Sequence, residues 1–245
     1  MKKIIFLVIF CQSLVFSQNL TFYGILPVIN QTGRISTKFN YNFFASTTID
    51  AFKSIQNNTN YPAKDLQLYI QPSIIYVASP SLNFAASYTY QRNNPITPDF
   101  TNEHRLWQQV IYSLPLGNGR LTNRFRFEER FIQAKNTAPH TLATRARYQL
   151  GFNTPLQGKT LDEKEFYLNA YNEFYFSLTG TKNATFSENW SYFGIGYNMG
   201  KMGRLELGYL SQVYVRNTAK DLRFLELTQL MWVTNFNFAR KKNKC

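Results

Sequence analysis

The sequence predicts an all-β chain, folded as an up-and-down antiparallel transmembrane β-barrel of ten strands, with twelve as the alternative count. Three observations predict it. Apolar and polar residues alternate with a period of two over long segments. These segments run about 10 to 14 residues, longer than the soluble mode of about 5 or 6 and enough for a tilted strand to cross a bilayer, which takes about 9 to 11. Their connections alternate between short and long, as periplasmic turns and outer loops do.

The first residues, "MKKIIFLVIFCQSLVFSQN", set two lysines ahead of an apolar run from Ile4 to Phe16, with a small residue, Ser17, at its end. This reads as a secretory signal peptide over 1–17, because the run is shorter than the about 20 residues of a spanning helix. Cys11 makes a poor lipoprotein site, since bulky Phe10 precedes it. Removal of the signal leaves one cysteine, Cys245, which excludes an intramolecular disulfide and a cysteine-based metal site. Residues 18–33, "QNLTFYGILPVINQTG", are expected to be an N-terminal lead or plug, or one strand of the twelve-strand alternative, because Pro27 counts against a central strand.

The barrel is expected over 34–238. Its first strand is "RISTKFNYNFF" (34–44), with Ile35, Phe39, Tyr41 and Phe43 toward lipid and Lys38, Asn40 and Asn42 inward. Residues 65–78 alternate Leu66, Leu68, Ile70, Ile74 and Tyr76 against Gln67, Gln71 and Ser73, and residues 82–91 repeat the pattern. The "SPS" between them makes a tight turn. Further strands are expected at 104–114, 121–132, 142–152, 165–178, 187–199, 203–216 and 222–238, followed by a basic tail over 239–245. Short connections fall at 79–81, 115–120 and 200–203, and long ones at 49–64, 93–103, 133–141 and 179–186. "NTPLQGKTLDEK" (153–164) is long for a turn, and 217–221 is short for a loop. With this parity both ends of a ten-stranded barrel lie in the periplasm. Aromatic residues gather at both strand ends, among them Tyr76, Tyr112, Phe166 and Tyr197 by the short turns and Tyr88, Tyr90, Phe131 and Phe176 opposite, as membrane girdles do. The last strand ends "NFNF", the kind of aromatic terminus that outer-membrane barrel-assembly machinery receives.

The chain carries 27 Lys and Arg against 14 Asp and Glu, a formal net charge of +13; without the two signal lysines the mature chain holds +11. An exported chain with its basic residues spread over strands and turns is not expected to bind nucleic acid. Outer-membrane lipid, lipopolysaccharide and small anionic solutes are the expected partners.

The strand "LTNRFRFEERFI" places Arg124, Arg126, Glu128 and Arg130 on one face and Phe125, Phe127 and Phe131 on the other. The next places Arg145 and Arg147 together, and "FYLNAYNEFYFSL" adds Glu173; Arg105 and Glu206 join from other strands. A guanidinium facing lipid at mid-depth costs about 2–4 kcal/mol, so these charges are expected to face the lumen. Glu128, Arg145, Arg147 and Glu173 lie at matching heights above the short turns, where opposite charges are expected to meet. Two readings stay open: a closed lumen filled by mutually satisfied charges, and a narrow anion-preferring pore, since rings of arginine select anions.

Catalysis has less support. His104 and His140 are the two histidines, and no serine stands at a matching height for a lipid hydrolase or acyltransferase. "LGNGR" and "YNMGKMG" are turn glycines without a following helix, and no metal-ligand spacing is present, so no cofactor is expected.

The succession "EHRLWQQ" (103–109), "RFRFEERF" (124–131), "RARYQLGF" (145–152), "YLNAYNEFYF" (167–176) and "YFGIGYNMGKMGRLELGYLSQ" (192–212) resembles the domain-of-unknown-function family 2490, outer-membrane β-barrels of exported bacterial proteins. Where that family tends to show Asn-Arg ahead of the glycines, this chain has Asn189 and Trp190. The resemblance implies a fold and an outer-membrane location, and no activity. The expectation is an integral outer-membrane barrel, either an anion-preferring pore or a structural or surface-binding barrel. The competing class is a soluble secreted β-barrel or sandwich that binds a small ligand.

Overall fold

Period-two alternation becomes extended backbone over most of the chain. The computed structural model describes residues 19–96, 100–135, 138–181, 184–215 and 221–238; the expected signal peptide over 1–17 and the basic tail over 239–245 lie outside the described residues. Its strands are β1 (Leu20–Arg34), β2 (Phe39–Asp50), β3 (Ser54–Gln56), β4 (Thr59–Tyr61), β5 (Lys64–Val77), β6 (Leu82–Asn93), β7 (Thr101–Leu116), β8 (Gly119–Gln133), β9 (Thr141–Pro155), β10 (Phe166–Thr179), β11 (Phe186–Asn198), β12 (Arg204–Val215) and β13 (Leu222–Asn235). The short β3 and β4 pair with each other. The other eleven close into one barrel, in the order β1-β13-β12-β11-β10-β9-β8-β7-β6-β5-β2. Closure leaves no sheet edge and gives each barrel strand two neighbours.

Eleven strands fall between the expected counts of ten and twelve, and the eleventh comes from the segment expected to be a lead or plug. Leu20–Arg34 is a full barrel strand. Its inward Leu20, Phe22, Leu26 and Val28 pack with Leu210, Leu225 and Leu227 inside the barrel. Pro27 is tolerated because the ladder to β13 runs unbroken past it, opposite Leu230, while the ladder to β2 is interrupted between Ile25 and Val28. The missing N–H therefore falls where the pairing already lapses. Pro72 sits at a similar gap, between Ile70 and Ser73 on the β6 side of β5.

Because eleven is odd, β1 and β13 run parallel, and the remaining neighbours are antiparallel. Leu20 thus starts at the long-loop end and Asn235 finishes at the short-turn end, which corrects the expectation that both ends lie on one side. The strand expected over 34–44 also moves. Ile35–Lys38 form the turn between β1 and β2: Ser36 Oγ accepts the Phe39 N–H (3.1 Å), and Phe39 O accepts the N–H of Ile35 (2.9 Å) and Ser36 (3.0 Å). Ile35 and Lys38 are turn residues, Asn42 faces the lumen, and Phe43 lies mid-strand. The last strand stops at Asn235 rather than 238.

The outer face is apolar and exposed, as at Phe39, Ile74, Phe125, Ile195 and Leu207. Aromatic rings pair near the short turns, with Phe39 on Tyr76 (5.4 Å) and Phe166 on Tyr197 (4.9 Å), and near the long loops, with Phe176 on Phe186 (6.0 Å).

Inside the β11–β12 hairpin, the Tyr192 ring lies flat over Gly194 and Gly208; a Cβ at either glycine would run into it. That placement lets the Tyr192 hydroxyl donate to Glu206 Oε1 (2.7 Å). We predict that Gly208→Val destabilises the barrel by about 1–3 kcal/mol through overpacking. Gly151→Ala, where the nearest atom to a Cβ is 3.7 Å away, should leave stability within about 0.5 kcal/mol. Thermal unfolding, followed by loss of β-sheet signal, measures both.

Candidate functional site: an arginine–glutamate lattice in the lumen

Strand period decides which charges turn inward, and register decides which of them meet. On β7 the inward side chains are Glu103, Arg105, Trp107 and Gln109; on β8 Arg124, Arg126, Glu128 and Arg130; on β9 Arg145 and Arg147; on β10 Glu173 and Tyr175. Register places Glu128 beside Arg145, Arg126 beside Arg147 and Glu173 beside Gln149.

Two buried carboxylates tie these strands together. Glu128 is fully buried; its Oε2 accepts from Arg145 Nε (2.8 Å) and its Oε1 from Arg147 Nη1 (2.7 Å). Glu173 accepts from Arg147 through Nε and Nη2 (2.8 Å each) and from Arg124 Nη2 (2.8 Å). Arg147 Nη2 also donates to the Tyr175 hydroxyl (2.8 Å), and its guanidinium lies 4.3 Å from the centre of that ring. A third carboxylate, Glu103, takes both Arg130 Nε (2.6 Å) and Nη2 (2.9 Å) and also binds Arg105, which reaches on to Gln91. Arg145 Nη1 donates to Glu188 Oε1 (2.8 Å) on β11. Charge-assisted bonds of this kind are what make buried ions tolerable, since desolvation alone costs several kcal/mol per ion.

Arg126 differs from the rest. Its guanidinium stacks 3.8 Å from the Trp107 ring centre and donates to Gln109 Oε1 (3.0 and 2.8 Å), while its nearest carboxylate oxygen, on Glu128, is 3.6 Å away. Trp107 is held in turn by Thr89 Oγ1 (3.0 Å).

All nine residues singled out in the sequence thus lie on the inner face, and eight belong to the lattice, which is made of two adjoining ion-pair groups, Glu103 with Arg105 and Arg130, and Glu128 and Glu173 with Arg124, Arg126, Arg145 and Arg147. Glu206 stands apart, held by Asn169 Nδ2 (3.1 and 3.2 Å) and Tyr192. Two lattice members escaped the sequence reading, Glu103 and Glu188. Glu103 was within reach of it, two residues before Arg105 on the same face. The lattice then holds six arginines (105, 124, 126, 130, 145, 147) against four glutamates (103, 128, 173, 188), an excess of two positive charges.

Beside the lattice runs a cavity of about 1120 Å³, lined from Tyr61 and Lys64 at the long-loop end to Thr122 and Asn153 toward the short turns. The two histidines lie away from it. Their rings meet 5.4 Å apart near the long-loop rim, and His104 Nδ1 is hydrogen-bonded to the Tyr88 hydroxyl (2.5 Å). Among the described residues no group of three or more His, Cys, Asp or Glu is placed to hold a metal ion.

Glu128→Ala removes the buried carboxylate that Arg145 and Arg147 share and leaves each guanidinium with one acid, so it should cost about 3–5 kcal/mol. Its neighbour Glu129 turns to the outer face, and Glu129→Gln should change stability by less than about 0.5 kcal/mol. Denaturant unfolding of the two variants side by side checks the alternation directly.

Comparison with curated proteins and with solved structures finds no match. A family model described as protein of unknown function (DUF2490) matches residues 29–223, a span that begins within β1 and takes in every lattice residue. The chain belongs to this family, DUF2490.

Proposed function

We propose that the protein is an integral outer-membrane β-barrel whose lumen passes small anions. The observation that carries this reading is the cavity along the barrel's length, walled on one side by a lattice with two more arginines than glutamates. Fixed cationic side chains in a narrow, low-dielectric passage lower the barrier for anions and raise it for cations. Membrane residence is supported by barrel strands of 12 to 16 residues and by the exposed apolar outer face with aromatic rings near both ends. Lipid and lipopolysaccharide are then the surroundings of that face. A second reading, a closed structural barrel, is favoured by the density of ion pairs in the lumen.

On this reading the expressed protein fractionates with outer membranes and migrates faster on gels unheated than boiled; a soluble product without heat-modifiable migration would overturn it. In planar bilayers the purified chain should show small unitary conductance, with a reversal potential toward that of chloride in a salt gradient. Arg145→Ala combined with Arg147→Ala should reduce the anion preference. Absence of current from a folded, heat-modifiable protein selects the closed barrel instead.

A further inference from the structure

The lumen has two unlike walls. In the closed strand order, β9 is five strands from β1 in one direction and β8 is five strands away in the other, so the arginine strands face β1 across the barrel. On the β1 side the cavity is lined by Phe22 and Leu26, with Leu210 and Leu225 beside them. These four side chains belong to a buried, packed core, and the edges they turn to the cavity make its lining apolar on this side.

Opposite stand the two lattice arginines least served by carboxylates. Arg124 reaches Glu173 with Nη2, but its Nε has no hydrogen-bond partner, and Arg126 rests on Trp107 and Gln109 with Glu128 at 3.6 Å. They alternate two apart on β8 and both line the cavity. Its volume, about 1120 Å³, exceeds the about 300–1,000 Å³ of ordinary small-molecule pockets and so has room for a long chain with a head group.

We propose that the lumen binds an anionic amphiphile with a single acyl chain, its acidic head on Arg124 and Arg126 and its chain along β1, β12 and β13. The apolar wall supplies chain burial, and the head offsets part of the excess positive charge of the lattice. The proposal rests on the two walls and not on ion conduction: a barrel that carries no current can still bind, and a conducting one can fail to.

The chain itself provides the reporter. Of its three tryptophans, Trp107 and Trp190 line the cavity and Trp232 is exposed on the outer wall. In full-length Trp232→Phe protein held in lipid nanodiscs, a dibrominated long-chain fatty acid should quench the remaining fluorescence saturably. The unlabelled acid should reverse the quenching, and acetate should not. The brominated methyl ester, which partitions into lipid equally well but lacks the charge, should quench at least about tenfold more weakly, as loss of a charge-assisted hydrogen bond implies. Arg124→Gln should weaken binding by a similar factor, and Arg124→Lys should retain most of it. Equal quenching by acid and ester, a non-saturating response, or no quenching overturns the proposal. The acid and ester comparison needs no change within the lattice, so it stands even if Arg124→Gln fails to fold.

Discussion

Two carboxylates, Glu128 and Glu173, hold the centre of the barrel. Each is buried and shared between arginines: Glu128 on β8 takes Arg145 and Arg147 from β9, and Glu173 on β10 takes Arg147 from β9 and Arg124 from β8, so β8, β9 and β10 are tied by side chains as well as by their backbone ladders. Once Arg147 is committed to both acids, its position fixes the Tyr175 ring beneath it and leaves Arg126 to find Trp107 and Gln109. Each such contact reduces the freedom of the next, which is how a network of long, flexible side chains becomes rigid. The shape of the cavity depends on that rigidity, because the space beside the lattice exists only where arginine side chains are held against their own wall.

The opposite wall is made in a different way. Leu20, Phe22, Leu26 and Val28 pack with Leu225 and Leu227 and with Leu210 on β12, a small apolar core inside the barrel. Between this core and the lattice stand Tyr171 and Tyr192, stacked 5.0 Å apart, with Glu206 accepting from the Tyr192 hydroxyl. Phenol rings suit this border, since each has an apolar body and one polar tip. The glycines of the β11–β12 hairpin give Tyr192 the room to lie against the wall instead of filling the lumen.

How much of this was legible in the sequence follows from contrast between faces. Arg145 and Arg147 alternate with Ala146 and Tyr148, so their direction could be read from the cost of placing a guanidinium in lipid. On β1 there is no such contrast: Leu20, Phe22, Leu26 and Val28 face inward while Tyr23, Ile25 and Ile29 face outward. With both faces apolar and a proline between them, the strand carried no period-two signature. Ile35 had the parity of a lipid-facing residue, but the hydroxyl of Ser36 closes a turn there, a local bond that periodicity does not reveal. Glu188 was hidden for another reason. The register between β10 and β11 shifts at Tyr175/Phe176, so the height of Glu188 cannot be counted from the ends of its strand.

The parallel seam between β1 and β13 also constrains the order in which the molecule can be assembled. Leu20 pairs with Arg223 and Thr32 with Asn235, so the first strand, already joined to β2 along one edge, waits for the partner of its other edge until β13 is present. The hairpins in between can form from near neighbours in sequence, whereas this closure joins the most distant segments and bears the largest loop entropy of any pairing in the barrel. Until it forms, β1 and β13 each present an open edge and the leucines between them remain uncovered. Formation of the seam therefore completes the apolar wall and closes the barrel in a single late step, and substitutions confined to it should act chiefly on the rate of that step.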